Sequence, residues 1–309
     1  VSVVVPVYNS AAFIEKCLES VIRQTITDSI ECILVDDCGN DNSMQIAERL
    51  IAGYKGDVAF KFLHQMDNQG PSAARNWGIR EATGEYVFFL DSDDCISPDC
   101  IELLYELAKK YDADYVQGTY EAFDNLRQAS IPYYSDDKKE IKRLLLNHNK
   151  IPFTPHNRLI RRQMILDYKL FFNEEIRVRE DFLWMTFVAK YVNRFAYCKQ
   201  PTYSRGVNED SLTHNVNRER EILGYRVLIE TMTANYDSFQ LGCQKELALE
   251  ALLMALRAGY YHNDAEKEHL INYVKAKNTI LENVLLTLYL KAKNSKVLHL
   301  LIRLYKRND

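Results

Sequence analysis

At 309 residues, 47% hydrophobic and 27% charged, the chain has the apolar content for one large domain or two modest ones and the balance of an ordinary soluble protein. A formal net charge of -4 speaks against nucleic acid as the main partner, because a phosphate backbone calls for a basic face. The seven cysteines form no CxxC pair and no cysteine-histidine spacing, which argues against a zinc site or a disulfide framework and predicts reduced thiols in the cytoplasm.

The chain opens on VSVVVPV, a β-branched run that reads as a central strand leading into a ligand-facing loop at Tyr8, Asn9 and Ser10. Opening on a strand without methionine predicts that a few leading residues have been trimmed; no signal peptide and no run of about twenty apolar residues is seen. Ser10 is placed to cap a helix over 11–24, where Ile14, Leu18, Val21 and Ile22 share one face. A second apolar strand over 30–35 runs straight into Asp36 and Asp37. A helix over 43–54, capped by Asn42, and a strand over 58–64 follow. The loop 67–72, with Gly70 and Pro71, then enters a helix carrying Arg75 and Asn76. Strands and helices in alternation predict a doubly wound, mostly parallel sheet.

The fourth strand, over 86–90, ends in Asp91, Ser92, Asp93 and Asp94, at the carboxyl edge where open α/β sheets bind ligands. Three acids in four positions either cap the helix that follows or hold a divalent cation that carries a phosphorylated ligand. Neither GxGxxG nor GxxxxGK[ST] is present, so a carboxylate-held metal takes over the handling of phosphates in the second reading. Arg75, at the same edge, either pairs with a neighbouring acid or meets a phosphate or a base carbonyl.

After a helix over 99–111 and a strand over 114–118 the pattern weakens. Residues 121–149 are polar and mixed, with a solvated charge run at 136–142. FTPHNRLIRR, over 153–162, reads as a loop entering a helix with basic residues at its start. Residues 169–178 read as an extended segment. Glu180 and Asp181 begin an apolar-faced helix, either as dipole partners or as a catalytic carboxylate aimed at the sheet edge. YSRGVNEDSLTH, over 203–214, reads as a polar loop containing Arg205, Ser211 and His214. Helices are predicted over 222–232, 246–258, 266–275 and 280–305, the last basic and amphipathic, fit either for an anionic membrane surface or for packing on the main domain.

VSVVVPVYN, LVDDCGNDNS, NQGPSAARNWGI, GEYVFFLDSDD and RED follow the order seen in family 2 glycosyltransferases, which the sequence resembles from residue 1 to about 214. The resemblance implies a glycosyltransferase A fold over 1–215, with a donor half at 1–120 and an acceptor half at 121–215, followed by an all-helical extension over 216–309. By position, Pro6, Val7 and Tyr8 match the nucleotide-contacting loop, Asp37 the acid that meets the base, and Gly70 and Arg75 the loop and helix beside the nucleotide. Asp91, Ser92 and Asp93 match the DXD motif, with Asp93 as the direct metal ligand and Asp91 near the ribose or the metal's waters. Asp181 matches the catalytic base, with Glu180 as its immediate rival.

The implied activity is an inverting, Mn2+- or Mg2+-dependent transfer from a nucleotide-sugar, UDP-linked by resemblance, to a saccharide or lipid-linked acceptor in surface-polysaccharide synthesis. The implied setting is cytoplasmic, with peripheral membrane contact through the basic C-terminal helix. No QxxRW motif of polymerising members is found, which favours single-sugar transfer. A nucleotidyltransferase on a similar sheet would call for a lysine-bearing glycine loop, which PVYNSAAF lacks. A non-catalytic nucleotide-binding module would have no use for Asp181.

Overall fold

Unbroken β-branched sequence makes a strand that must be covered on both faces, and β1 (Ser2–Val7) is one: Val3, Val4 and Val5 are wholly buried. It pairs in parallel with β2 (Glu31–Asp36) and β4 (Tyr86–Phe89), while β2 pairs in parallel with β3 (Ala59–His64) at the sheet edge. Helices α1 (Ile14–Ile22), α2 (Ser43–Ala52) and α3 (Pro71–Glu81) make the crossovers. The computed structural model describes residues 1–26, 30–121, 131–146, 150–206, 217–234, 251–252, 255–256, 259 and 261–275.

Beyond β4 come β5 (Cys95–Ile96), α4 (Cys100–Lys110), β6 (Tyr115–Tyr120), β7 (Tyr134–Ser135), α5 (Lys138–Leu145), β8 (Arg158–Arg161), α6 (Arg162–Asp167), α7 (Glu180–Tyr191) and β9 (Phe195–Ser204). The nine strands form one sheet in the order β3-β2-β1-β4-β8-β6-β9-β5, with β7 on β9. β1, β2, β3, β4, β6 and β9 share one direction; β5, β7 and β8 oppose it.

Five local expectations are corrected. Residues 158–161 do not start a helix: they are a central antiparallel strand between β4 and β6. Their arginines hid it, since Arg158 is fully buried with its donors satisfied by the preceding loop, Tyr115 and Met185. Tyr203 and Ser204 belong to the end of β9, which tolerates Pro201 because the β6 register shifts on either side of its partner Thr119. The segment 169–178 forms no strand. Ser10 does not cap α1, whose N-cap is Phe13; its Oγ is buried without a partner among the described residues, and its N–H donates to Ser43 Oγ at 2.8 Å.

Asn42, likewise, makes no side-chain cap bond. Asp41 does this work, accepting from Ser43 N at 3.0 Å and, across the loops, from Ala11 N at 2.8 Å. The charge run at 136–142 turns into α5, with Asp137 as its cap.

The chain divides into two compact units, Val1–Arg220 and Glu221–Asp309. Past β9 the described elements are helices α8 (Arg218–Ala234) and α9 (Asp264–Lys275), with Arg226 donating to Glu266 at 3.3 Å. The helix expected over 280–305, most of that over 246–258, Ser211, His214 and Cys243 lie outside the described residues. Among the described residues no helix is long and apolar enough to cross a membrane, and the six described cysteines are free thiols.

α3 lies close on β1 because Gly78 faces Val4: a Cβ there would overlap Val4 Cγ1, and Val4 is wholly buried with a stiff branched side chain. Alanine would gain about 1 kcal/mol in helix propensity, but overpacking a rigid core costs about 1–3 kcal/mol. Gly78→Ala is therefore expected to lower the melting temperature, read by calorimetry or circular dichroism. An unchanged or raised midpoint would mean that the helix-strand contact yields easily.

Candidate active site

Four of the segments at the carboxyl edge of the sheet contain a non-glycine residue in the left-handed region: Asn9 after β1, Cys38 after β2, Asn157 before β8 and Arg179 before α7. Such conformations cost on the order of 1–3 kcal/mol each and persist where surrounding contacts fix them. The contacts are visible. Asn9 Oδ1 accepts from Asn40 N at 2.7 Å, and a Cβ on Gly39 would come within 2.8 Å of Asn9 N, so the first two loops lie against each other.

Asp37, 3% exposed, is the hub of the third loop. Its carboxylate accepts from Gln69 N at 2.8 Å, Gly70 N at 2.9 Å and Asn68 Nδ2 at 3.0 Å. Burial pushes this carboxyl up, while the Gly70 and Gln69 N–H groups and Arg177 draw it back. Arg177 also donates to Asn68 Oδ1 at 2.6 Å and Asn68 O at 2.8 Å. Gly70 holds φ at 92° and starts α3 directly before Pro71. Asp37 thus shapes the loop that precedes Arg75. Tyr8, by contrast, is 42% exposed at the end of β1.

The acidic stretch after β4 is a tight turn, with Asp94 N donating to Asp91 O at 3.0 Å. β5 continues from it and pairs with Tyr203 and Ser204, which brings the end of β9 to the turn. Tyr203 Oη donates to Asp94 Oδ2 at 2.5 Å and Gly206 N to Asp94 Oδ1 at 2.8 Å. Burial, and then the Asp91 charge, push the Asp94 carboxyl up to about 7. Asp91 goes the other way: burial opposes its ionisation, but Arg75 holds it below the usual carboxylate range.

Arg75 is the buried cation of the site. Its guanidinium donates to Asp91 Oδ1 at 3.0 Å and to Glu180 Oε1 at 3.4 Å, and lies 5.5 Å from the Phe172 ring centroid. Burial works against its charge, yet Asp91 and Glu180 raise its pKa further. Of the two roles open to this arginine, the described geometry shows the salt bridge.

The segment below is fastened by the next residue, Asn76, which donates to Phe172 O at 2.9 Å and accepts from Phe172 N at 2.8 Å. Phe172 stacks on Trp184 of α7 with centroids 4.2 Å apart. These bonds set the first turn of α7 opposite the acidic turn. Burial and then Asp181 push Glu180 up to about 7, and burial also raises Asp181, whose Oδ1 accepts from Phe182 N at 2.7 Å.

A residue that the sequence reading passed over completes the cluster. His156 is 5% exposed, with Nε2 3.8 Å from Asp91 Oδ2, Nδ1 3.2 Å from Tyr120 Oη and its ring stacked on Tyr203 at 4.8 Å. Burial drives its pKa down to about 3 despite Asp91, so the imidazole is neutral and able to ligate. Ligand-capable atoms of Asp91, Asp94 and His156 lie within 4.8 Å of one another. Asp93 is half-buried and lies outside that group; its carbonyl packs against Gly206, where a Cβ would overlap it. The sequence signal that could have pointed to His156 is a histidine in an otherwise apolar and basic loop, FTPHNRL.

The donor set suits a divalent cation. Two carboxylates and a neutral imidazole converge in a site where Asp91, Asp94, Glu180 and Asp181 outnumber the Arg75 charge.

The family model for glycosyl transferase family 2 matches residues 2–168, more than half of the chain. The chain is 40% identical to glycosyltransferase GlyG of Streptococcus pneumoniae serotype 4 over 124 residues, 40% of each protein. It is 37% identical over 121 residues to poly(ribitol-phosphate) beta-N-acetylglucosaminyltransferase TarP of Staphylococcus aureus, covering 39% of this chain and 36% of TarP. The chain therefore spans less than half the length of these two relatives.

In fold it is similar to S. aureus TarS 1-349 in complex with UDP-GlcNAc, with a TM-score of 0.68 at 21% identity over 88% of this chain and 78% of that one. The family match and the sheet with its acidic edge agree: this protein belongs to glycosyl transferase family 2.

Proposed function

We propose that the chain is a cation-dependent, inverting transferase that moves one sugar from a UDP-sugar to a saccharide or lipid-linked acceptor in surface-polysaccharide synthesis. The observation that carries this reading is the meeting of Asp91, Asp94 and His156 on one side with Glu180 and Asp181 on the other, bridged by Arg75. The TarS complex with UDP-GlcNAc supports the donor class, and the polymer named in TarP supports the acceptor class.

In this reading Pro6, Val7 and Tyr8 face the nucleoside from the end of β1. Asp37 and Gly70 form its far wall, and Ser92 lies in the turn beneath the ribose. Asp37 would have to share an oxygen that already serves the 68–70 loop. A divalent cation bound by Asp91, with Asp94 and His156 or with Asp93, supplies Lewis-acid neutralisation of the departing diphosphate.

Asp181 accepts the proton of the acceptor hydroxyl as its oxygen bonds to the anomeric carbon, and the bond from that carbon to the diphosphate breaks with its electron pair on the leaving oxygen. A single displacement inverts the centre. Glu180 is paired with Arg75, which supports Asp181 rather than Glu180 as the base in this reading.

UDP binding measured by calorimetry is expected to need Mn2+ and to weaken by roughly tenfold or more, about 1.4 kcal/mol, in Asp91→Asn. Comparing Asp93→Ala with Asp94→Ala identifies the second carboxylate. Metal-independent binding in all variants would defeat the reading.

Asp181→Asn is expected to lower kcat by about 10²–10⁴-fold while UDP affinity holds; an equal loss in Glu180→Gln with Asp181→Asn active would reverse the assignment. The base must be unprotonated, and the carboxyl pair is raised in the folded protein. kcat should therefore climb with pH through a limb displaced from the ordinary value of about 4 toward neutrality. A profile flat down to about pH 5 would be incompatible with a buried carboxylate base.

A further inference from the structure

Arg158 is 0% exposed, and its hydrogen-bond partners among the described residues are all uncharged. A guanidinium has five N–H donors, and each has a neutral partner. Nε donates to His156 O at 3.0 Å. Nη1 donates to Tyr115 Oη at 2.6 Å and Met185 Sδ at 3.2 Å, and Nη2 to Pro152 O at 3.1 Å and Thr154 Oγ1 at 3.4 Å. The group also lies 5.6 Å from the Tyr115 ring centroid.

Burying a charge without a counter-charge is costly, so hydrophobic burial alone would select a leucine or methionine here. The partners show what the arginine achieves. Pro152, Thr154 and His156 are three positions of one loop, and that loop is wrapped around the guanidinium. Thr154 Oγ1 in turn lies 3.0 Å from Tyr120 Oη, which lies 3.2 Å from His156 Nδ1. Backbone and ring of His156 are thereby fixed by one connected set of bonds, and Asn157, at φ 61°, turns the chain from that ring into β8.

We infer that Arg158 is a positioning residue: its buried fork holds the 152–156 loop so that His156 Nε2 faces Asp91 and Asp94 as a cation ligand. This rests on the reading of His156 as part of the cation site. Lysine cannot replace the fork, because a single ammonium reaches fewer of five divergent acceptors.

The test is a double-mutant cycle on Mn2+ affinity, followed by electron paramagnetic resonance on the full chain well below its melting temperature. His156→Ala and Arg158→Lys are each expected to weaken Mn2+ binding, the latter by about 10–100-fold, as loss of a ligand's supporting bonds does. The double variant should bind no more weakly than His156→Ala alone. If Arg158→Lys fails to fold, Arg158→Gln, which keeps donors toward the loop but no charge, takes its place in the cycle.

Unchanged Mn2+ affinity in the Arg158 variant, or losses that simply add, would assign Arg158 to stability alone and overturn the inference. Unchanged affinity in His156→Ala would remove His156 from the cation site, and Arg158's role with it, while leaving the Asp91-dependent binding of UDP to stand or fall on its own measurement.

Discussion

One buried cation between two carboxylates from distant parts of the chain organises this site. Arg75 lies in the second turn of α3, Asp91 at the end of β4 and Glu180 at the start of α7, and the guanidinium touches both acids. A carboxylate removed from water in this way is stabilised only if its partner is held rigidly. The rigidity comes from close contact of α3 with β1 at Gly78, from Asn76 bonding the backbone of Phe172, and from the stack of Phe172 on Trp184. The adjacent residues Arg75 and Asn76 therefore do related work: one joins charges at the end of β4 and the start of α7, the other ties α3 to the backbone that precedes α7.

The loops at the sheet edge follow the same logic, with neutral N–H donors in place of the guanidinium. Asp41, Asn9 and Ser43 tie the loops after β1 and β2 to each other, and Asp37 gathers three N–H donors of the loop before α3. Because these bonds lie within the protein, the edge is shaped before any ligand arrives, which is the condition for electrostatic preorganisation. The left-handed residues Asn9, Cys38, Asn157 and Arg179 mark where the chain is bent against its preference to make those bonds.

How much of this was legible in sequence depended on the range of the interactions. β1 to β4 and their crossover helices announce themselves through local apolar runs and turn residues, so Asp37, Asp91 and the Glu180-Asp181 pair could be placed at strand or helix ends by reading along the chain. β8 could not be read so, since its identity rests on antiparallel pairing with β4 and β6 across sequence separations that local pattern does not encode. Arg158 made matters worse: a charged residue at a fully buried strand position reverses the polarity rule from which strands are inferred. Missing β8 meant missing His156, which is brought to Asp91 only once that strand is in the sheet. In sequence Asp94 is one acid among several, because its bonds to Tyr203 and Gly206 depend on β9 returning to the same turn.

The charge balance of the assembled site then limits what it can be. Asp91, Asp94, Glu180 and Asp181 converge with Arg75 as their buried cation, and His156 is neutral. Burial opposes ionisation of all four acids, and repulsion from a neighbouring acid adds to it at Asp94 and Glu180, which are both pushed up to about 7, while Arg75 foremost, with Arg205, holds Asp91 below the usual carboxylate range. A site built only for stability would more economically lack the extra acids, as exchange of one for an apolar residue removes the repulsion outright. Their retention in a cluster with imidazole makes sense for a site whose missing charge is supplied from outside. Burial first, and repulsion between neighbouring acids after it, raises the carboxyls of Glu180 and Asp94, and the same gathering of acids beside a neutral imidazole is what would suit a divalent cation at the turn after β4.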